Sequence, residues 1–100
     1  MSRNLKNEIF FFQSCGGDVV EFYRVTRSTT NTCEVARMKK TVIFQTEDLQ
    51  YVEPDFKTEG EKSRCRILSY DEIEFKSGEI ASLWDRKPVT QNTIIFLPYI

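Results

Sequence analysis

Apolar and polar residues trade places along this chain at the short intervals of strands, and nowhere over a long stretch at the three-to-four spacing of a helix. Ile9-Phe10-Phe11-Phe12 is an unbroken apolar run that predicts a short buried strand. Ser14-Cys15-Gly16-Gly17-Asp18 stops it, its paired glycines supplying the positive φ angles of a tight turn. Val19 to Thr29 is rich in β-branched and aromatic residues, and Ser28-Thr29-Thr30-Asn31 separates it from Thr32 to Phe44, a hairpin pattern. Cys33 and Val35 alternate with Thr32 and Glu34, as on a sheet with one buried face. Past Lys40 the alternation is lost, which predicts a bulge or a second short strand through Thr41-Val42-Ile43-Phe44.

Residues 46–63 change character. Glu47, Asp48, Glu53, Asp55, Glu59 and Glu61 face only Lys57 and Lys62, and Pro54 and Gly60 interrupt the run. A surface loop is expected, with one helical turn at Glu47 to Gln50 and with Tyr51, Val52 and Phe56 pinning it to the core. Arg64 to Ser69 and Asp71 to Lys76 predict a strand pair. Ile73 and Phe75 alternate with Glu72, Glu74 and Lys76, and Ser77-Gly78 then turns the chain into Ile80 to Trp84. Ile94 to Leu97 reads as an edge strand ended by Pro98. Residues 1–7 are polar and suit a loose arm, so the expected organisation is a flexible segment 1–7 and one domain over 8–100. Short strands with closely spaced turns predict an all-β fold, a small antiparallel five- or six-stranded barrel that is Src-homology-3-like.

The 100 residues suffice for one core, and eight Phe, four Tyr and Trp84 must fill much of it. Fourteen basic and fifteen acidic residues leave a net charge of -1, which removes any whole-molecule argument for an electrostatic nucleic-acid or membrane binder. The longest apolar stretches fall far short of the ~20 residues of a membrane helix, and no signal-peptide pattern opens the chain, so a cytoplasmic soluble protein is expected. Cys15, Cys33 and Cys65 are odd in number, lack Cys-x-x-Cys spacing and read as free thiols, with no zinc site.

No histidine is present, so the commonest base near neutral pH, and the usual activator of Ser or Cys, is missing. Cys15 beside two glycines reads as a residue that fits its turn. Glu72 and Glu74 share a strand face and read as solvated, and the acidic stretch lacks the spaced ligands of a calcium loop. No enzyme activity, metal or cofactor is expected. Arg24, Arg27, Arg37, Lys39 and Lys40 near Tyr23, joined by Lys62, Arg64 and Arg66, make either a cationic strip for nucleic acid or a set of cross-strand pairs with Glu21, Glu34 and Glu74. Trp84 is either a core anchor or a recognition hot spot, with Asp85 fixing the following turn and Pro88 preventing further strand pairing.

The order strand, Ser14-x-Gly16-x-Asp18 turn, Glu21-Phe22-Tyr23-x-Val25 strand, basic hairpin and Trp84-Asp85-x-Lys87-Pro88 close resembles a group of small proteins carried by bacteriophages and related mobile elements. It spans residues 8–88, with Cys15 in place of an aromatic and Arg86 in place of a glycine. The resemblance implies a phage-encoded accessory or counter-defence protein that binds and inhibits a host protein or protein–nucleic acid complex. The surfaces expected to serve are the turn at 13–18, the Trp84, Asp85, Arg86, Lys87 turn and the acids Glu47, Asp48, Glu53 and Asp55, which would meet a basic partner. The alternative is a nucleic-acid-binding barrel using Tyr23, Arg24, Arg27, Arg37, Lys39 and Lys40. A structural virion protein or an oligomer that sequesters a ligand is a third reading.

Overall fold

Four consecutive large apolar residues make sense in a strand only if both of its faces are covered, and β1 (Ile9–Gln13) is such a strand. The computed structural model describes residues 4–14 and 19–92, and all of their side chains except those of 57–59. Phe10 and Phe12 belong to one apolar cluster with Leu5, Val25, Val35, Ile73 and Ala81, while Ile9 and Phe11 belong to a second with Val20, Phe22, Met38, Val52 and Trp84.

The first cluster fills a closed barrel. β2 (Val20–Ser28), β3 (Thr32–Gln45), β4 (Leu49–Ser69), β5 (Glu72–Phe75) and β6 (Ile80–Leu83) complete it. The order β3-β2-β1-β6-β5-β4 closes on itself through a β3–β4 pairing, all neighbours being antiparallel. Closure leaves this part of the molecule without a free sheet edge. The expected all-β small barrel is thus observed, with six strands, and no described residue is helical.

The second cluster lies outside the barrel wall. There β3 and β4 run on past the barrel as a two-stranded arm, and β7 (Val89–Asn92) pairs with Leu49–Val52 of β4. The arm lengthens the molecule to 52 × 25 × 20 Å, with a radius of gyration of 14.5 Å against about 13 Å for a compact chain of this length.

Side-chain amides and one ammonium fasten the arm to the barrel. Val20 N–H donates to Gln91 Oε1 (3.0 Å), and the Lys40 amine donates to both Val20 O (2.6 Å) and Gln91 Oε1 (2.9 Å). Gln91 Nε2 then donates to Gln50 Oε1, and Gln50 Nε2 to Gln45 Oε1. Gln91 is buried, so its amide needs these partners.

Several expectations are corrected. Residues 46–63 are not a loop: Thr46–Asp48 make a tight turn, held by Thr46 N–H to Leu49 O, and the chain is a strand from Leu49 onward, with no helical turn at 47–50. Pro54 lies beyond the last β4–β7 pair, where β4 has a single partner, so its missing N–H is tolerated. Pro88 does not end pairing, since β7 begins at the next residue. Within the segment 1–7 expected to be loose, Leu5 is buried in the first cluster and Asn7 N–H donates to Val25 O. The expected turn at Cys15–Asp18 and edge strand at 94–97 lie outside the described residues. The bulge foreseen past Lys40 is present, the register shifting between Val42 and Phe44.

Candidate interaction surface

Trp84 is the hinge of the outer cluster. Only 7 % exposed, it meets the ring of Phe22 edge-on at 5.8 Å and donates its indole N–H to Lys87 O at 2.7 Å. That bond closes a turn in which Asp85 Oδ1 accepts from Lys87 N–H and Arg86 takes the left-handed φ of 70°. A side chain pays steric strain in that region, which is why a glycine is the natural occupant there. Here the strained geometry is accompanied by the guanidinium of Arg86 lying 5.3 Å from the Trp84 ring centroid, a cation–π contact. Trp84 is therefore a core anchor, and the exposed parts of this turn are Asp85, Arg86 and Lys87.

A register slip brings the acidic strand to the same place. Between Met38 and Lys39 of β3, the paired residues of β4 drop from Glu59 to Asp55, so Phe56 sits in a wide bulge. Bulges re-aim side chains. Phe56 is 60 % exposed, and its ring lies 6.3 Å from that of Trp84. It also lines, with Thr41, Ile43, Glu53, Pro54 and Asp55, an open hollow of about 410 Å³. Ile43 and Phe44 are exposed further along the arm, Phe44 resting on Tyr51. The tip carries Glu47 and Asp48, both exposed.

The protein-binding residues named from sequence therefore share one side of the molecule only in part. Glu53 and Asp55 flank the hollow and connect through Phe56 to Trp84 and Arg86, whereas Glu47 and Asp48 stand at the arm's tip. Sequence reasoning missed the exposed apolar stretch at Ile43 and Phe44, and it expected Phe56, which is exposed, to pin its segment to the core. The lost alternation past Lys40 was the only trace of that stretch, since apolar residues on a solvated strand break the pattern that a one-sided sheet obeys.

The cationic strip does not assemble. Tyr23 and Arg24 are successive strand residues and point to opposite faces. Tyr23 packs on Phe75 inside the barrel mouth, and Arg24 pairs in register with Ile9 on the outer face. Arg37 lies 3.9 Å and Lys40 3.8 Å from the carboxylate of Glu21, and Lys40 is spent on Val20 and Gln91. Lys62 pairs with Glu34 and Arg66 with Glu74, cross-strand partners of the kind expected as the alternative to a cationic strip. Arg27 instead stands with Arg64 at a small cavity beside Cys33, and Lys39 is exposed opposite Asp55. Lys62, Arg64 and Lys76 surround another hollow, next to Phe75.

Burial pushes the Tyr23 phenol above its ordinary value, with Glu21 and Glu79 adding to the shift and Arg37 opposing it. Among the described residues no three Cys, Asp or Glu side chains converge as metal ligands, and no helix is long and apolar enough to cross a membrane. No protein-family model, curated protein or solved structure matches the chain.

Proposed function

We propose that this is a non-enzymatic binding protein that occupies a macromolecular partner through the arm and the adjoining Trp84 turn. The observation that carries the reading is the exposure of Ile43 (48 %) and Phe56 (60 %) around a hollow edged by Glu53 and Asp55, with Phe44 exposed further along the arm. Exposed aromatic groups with a charged rim are the composition of an interaction site, and arms projecting from a rigid body are where such sites are carried. The chain's lack of histidine fits a protein that binds without transforming its partner. Its partner would be a host protein with an apolar feature fringed by positive charge. The sequence resemblance adds the setting: a phage or mobile-element accessory or counter-defence factor acting in the bacterial cytoplasm as an inhibitor.

The test is affinity capture from a bacterial lysate, followed by titration of the captured protein with purified variants. Phe56→Ser should weaken binding at least tenfold, and Glu53→Gln with Asp55→Asn should flatten its salt dependence, while Arg24→Ala leaves it unchanged. Equal affinity for wild type and Phe56→Ser sinks the reading.

A second reading is favoured by one observation, the hollow of Lys62, Arg64 and Lys76 beside Phe75, where phosphate contacts and base stacking lie together. It replaces the strip on β2 and β3 as the nucleic-acid alternative. Oligonucleotide binding with a steep salt slope, reduced by Arg64→Ala, supports it; no binding at low salt ends it.

A further inference from the structure

Cys33 and Cys65 face each other directly across the β3–β4 ladder, and both are buried in the first cluster. The Ile67 N–H to Asn31 O bond fixes the phase of this ladder, whose register runs unshifted from Thr32 to Ala36. Two steps along from that bond, Cys33 and Cys65 form a hydrogen-bonded pair, a position whose Cα atoms lie about 5.5 Å apart. Disulfides span about 4.4–6.8 Å between Cα atoms, so this Cα separation lies within their range, and the Cβ atoms, about 5 Å apart at such a pair, must draw together to about 4 Å as the bond forms.

We propose that Cys33 and Cys65 are a modification site, a dithiol that converts reversibly to an intrachain disulfide by exchange with a small anionic disulfide. Access is provided by the cavity of about 110 Å³ lined by Cys33 together with Arg27, Thr29, Thr32, Glu34 and Arg64. Two guanidiniums at its wall draw in an anionic oxidant and favour a thiolate. The hydrogen bond from Cys65 lowers the Cys33 thiol against the opposing effect of burial, and the same bond, followed by burial, raises that of Cys65. Cys33, the thiol of the pair that lines the cavity, is the attacking sulfur. Its thiolate displaces one thiolate from the reagent disulfide and forms a mixed disulfide. Cys65 gives its proton to solvent and attacks the Cys33 sulfur, releasing the second reagent thiolate. The two protein thiols are oxidised and the reagent disulfide is reduced to two thiols. The product would staple β3 to β4 at the barrel's closing pair, at the end of the ladder away from the arm.

The experiment uses the full chain carrying Cys15→Ser, so that the pair holds the remaining thiols, incubated natively with glutathione disulfide. The expected result is a loss of two hydrogens in intact mass without an adduct, a peptide map joining Cys33 to Cys65, and full reversal by dithiothreitol. The unfolding equilibrium in urea should move toward the folded state by on the order of tenfold or more. Cys65→Ser in the same background should instead hold a glutathione adduct on Cys33. If that variant does not fold, the mass result alone decides. Unreacted thiols, a stable adduct on the parent chain or an intermolecular dimer would each overturn the proposal.

Discussion

The barrel and the arm are built from the same two strands, yet different forces hold them. In the barrel, Phe10, Val25, Val35, Ile73 and Ala81 are sealed from water, and every strand has two neighbours. In the arm, every residue from Thr41 to Asp48 is exposed, and beyond Met38 β3 pairs only with β4. Apolar burial stabilises the first, whereas the arm is anchored by Val52 packing in the outer cluster and by the Gln91–Lys40 clasp. A single strand can thus be core at one end and contact surface at the other.

The sharpest way to break the comparison is at Phe10. Phe10→Ala empties a site with no exposure and should cost about 3–5 kcal/mol, with barrel and arm lost together in urea unfolding. Next comes the clasp. Gln91→Ala strands the buried Val20 N–H and should cost about 1–3 kcal/mol, with faster amide exchange in the arm and β7 than in β5 and β6. Equal acceleration everywhere would show that arm and barrel do not separate.

The Tyr23 phenol gives a smaller, pH-dependent handle inside the barrel. Its folded-state pKa lies above the ordinary 10.0, so the folded protein holds the phenolic proton more tightly than the unfolded chain does. The associated stability is complete below about pH 10 and is lost as pH rises through the folded value. Tyr23→Phe should remove that alkaline loss, as seen in denaturation midpoints on either side of pH 10. Smallest of all, Phe44→Ser at the arm should leave stability within about 0.5 kcal/mol of wild type, because the ring is mostly in water already.

What could be read from the chain divides along the same line. The β5–β6 hairpin was plain, because Ile73 and Phe75 alternate with Glu72 and Glu74 on a sheet with one wet face. The β2–β3 hairpin and the barrel class followed from the same period. The first half of β4 was hidden: with Pro54 and acids between its apolar residues, it meets none of the composition rules of a strand, and only its pairing with β3 and β7 makes it one. β7 was missed for a similar reason, its Thr90, Gln91 and Asn92 serving the clasp rather than an apolar face. The site was half legible. Glu53, Asp55 and Trp84 were visible as residue types, but Phe56 reaches Trp84 only through a register slip that no local pattern encodes.

The barrel's most distant seam has a consequence for how the molecule comes into being. Five of its six strand junctions join neighbours in the chain order or, for β3 and β4, the two legs of one hairpin, but β1 meets β6 through Phe10↔Leu83 and Phe11↔Ser82. Closing that junction carries the greatest loop entropy, so it belongs late in folding. On the ribosome, the ring stays open until Leu83 has cleared the exit tunnel, and Ile9 to Phe12 must wait unpaired on one edge through most of synthesis.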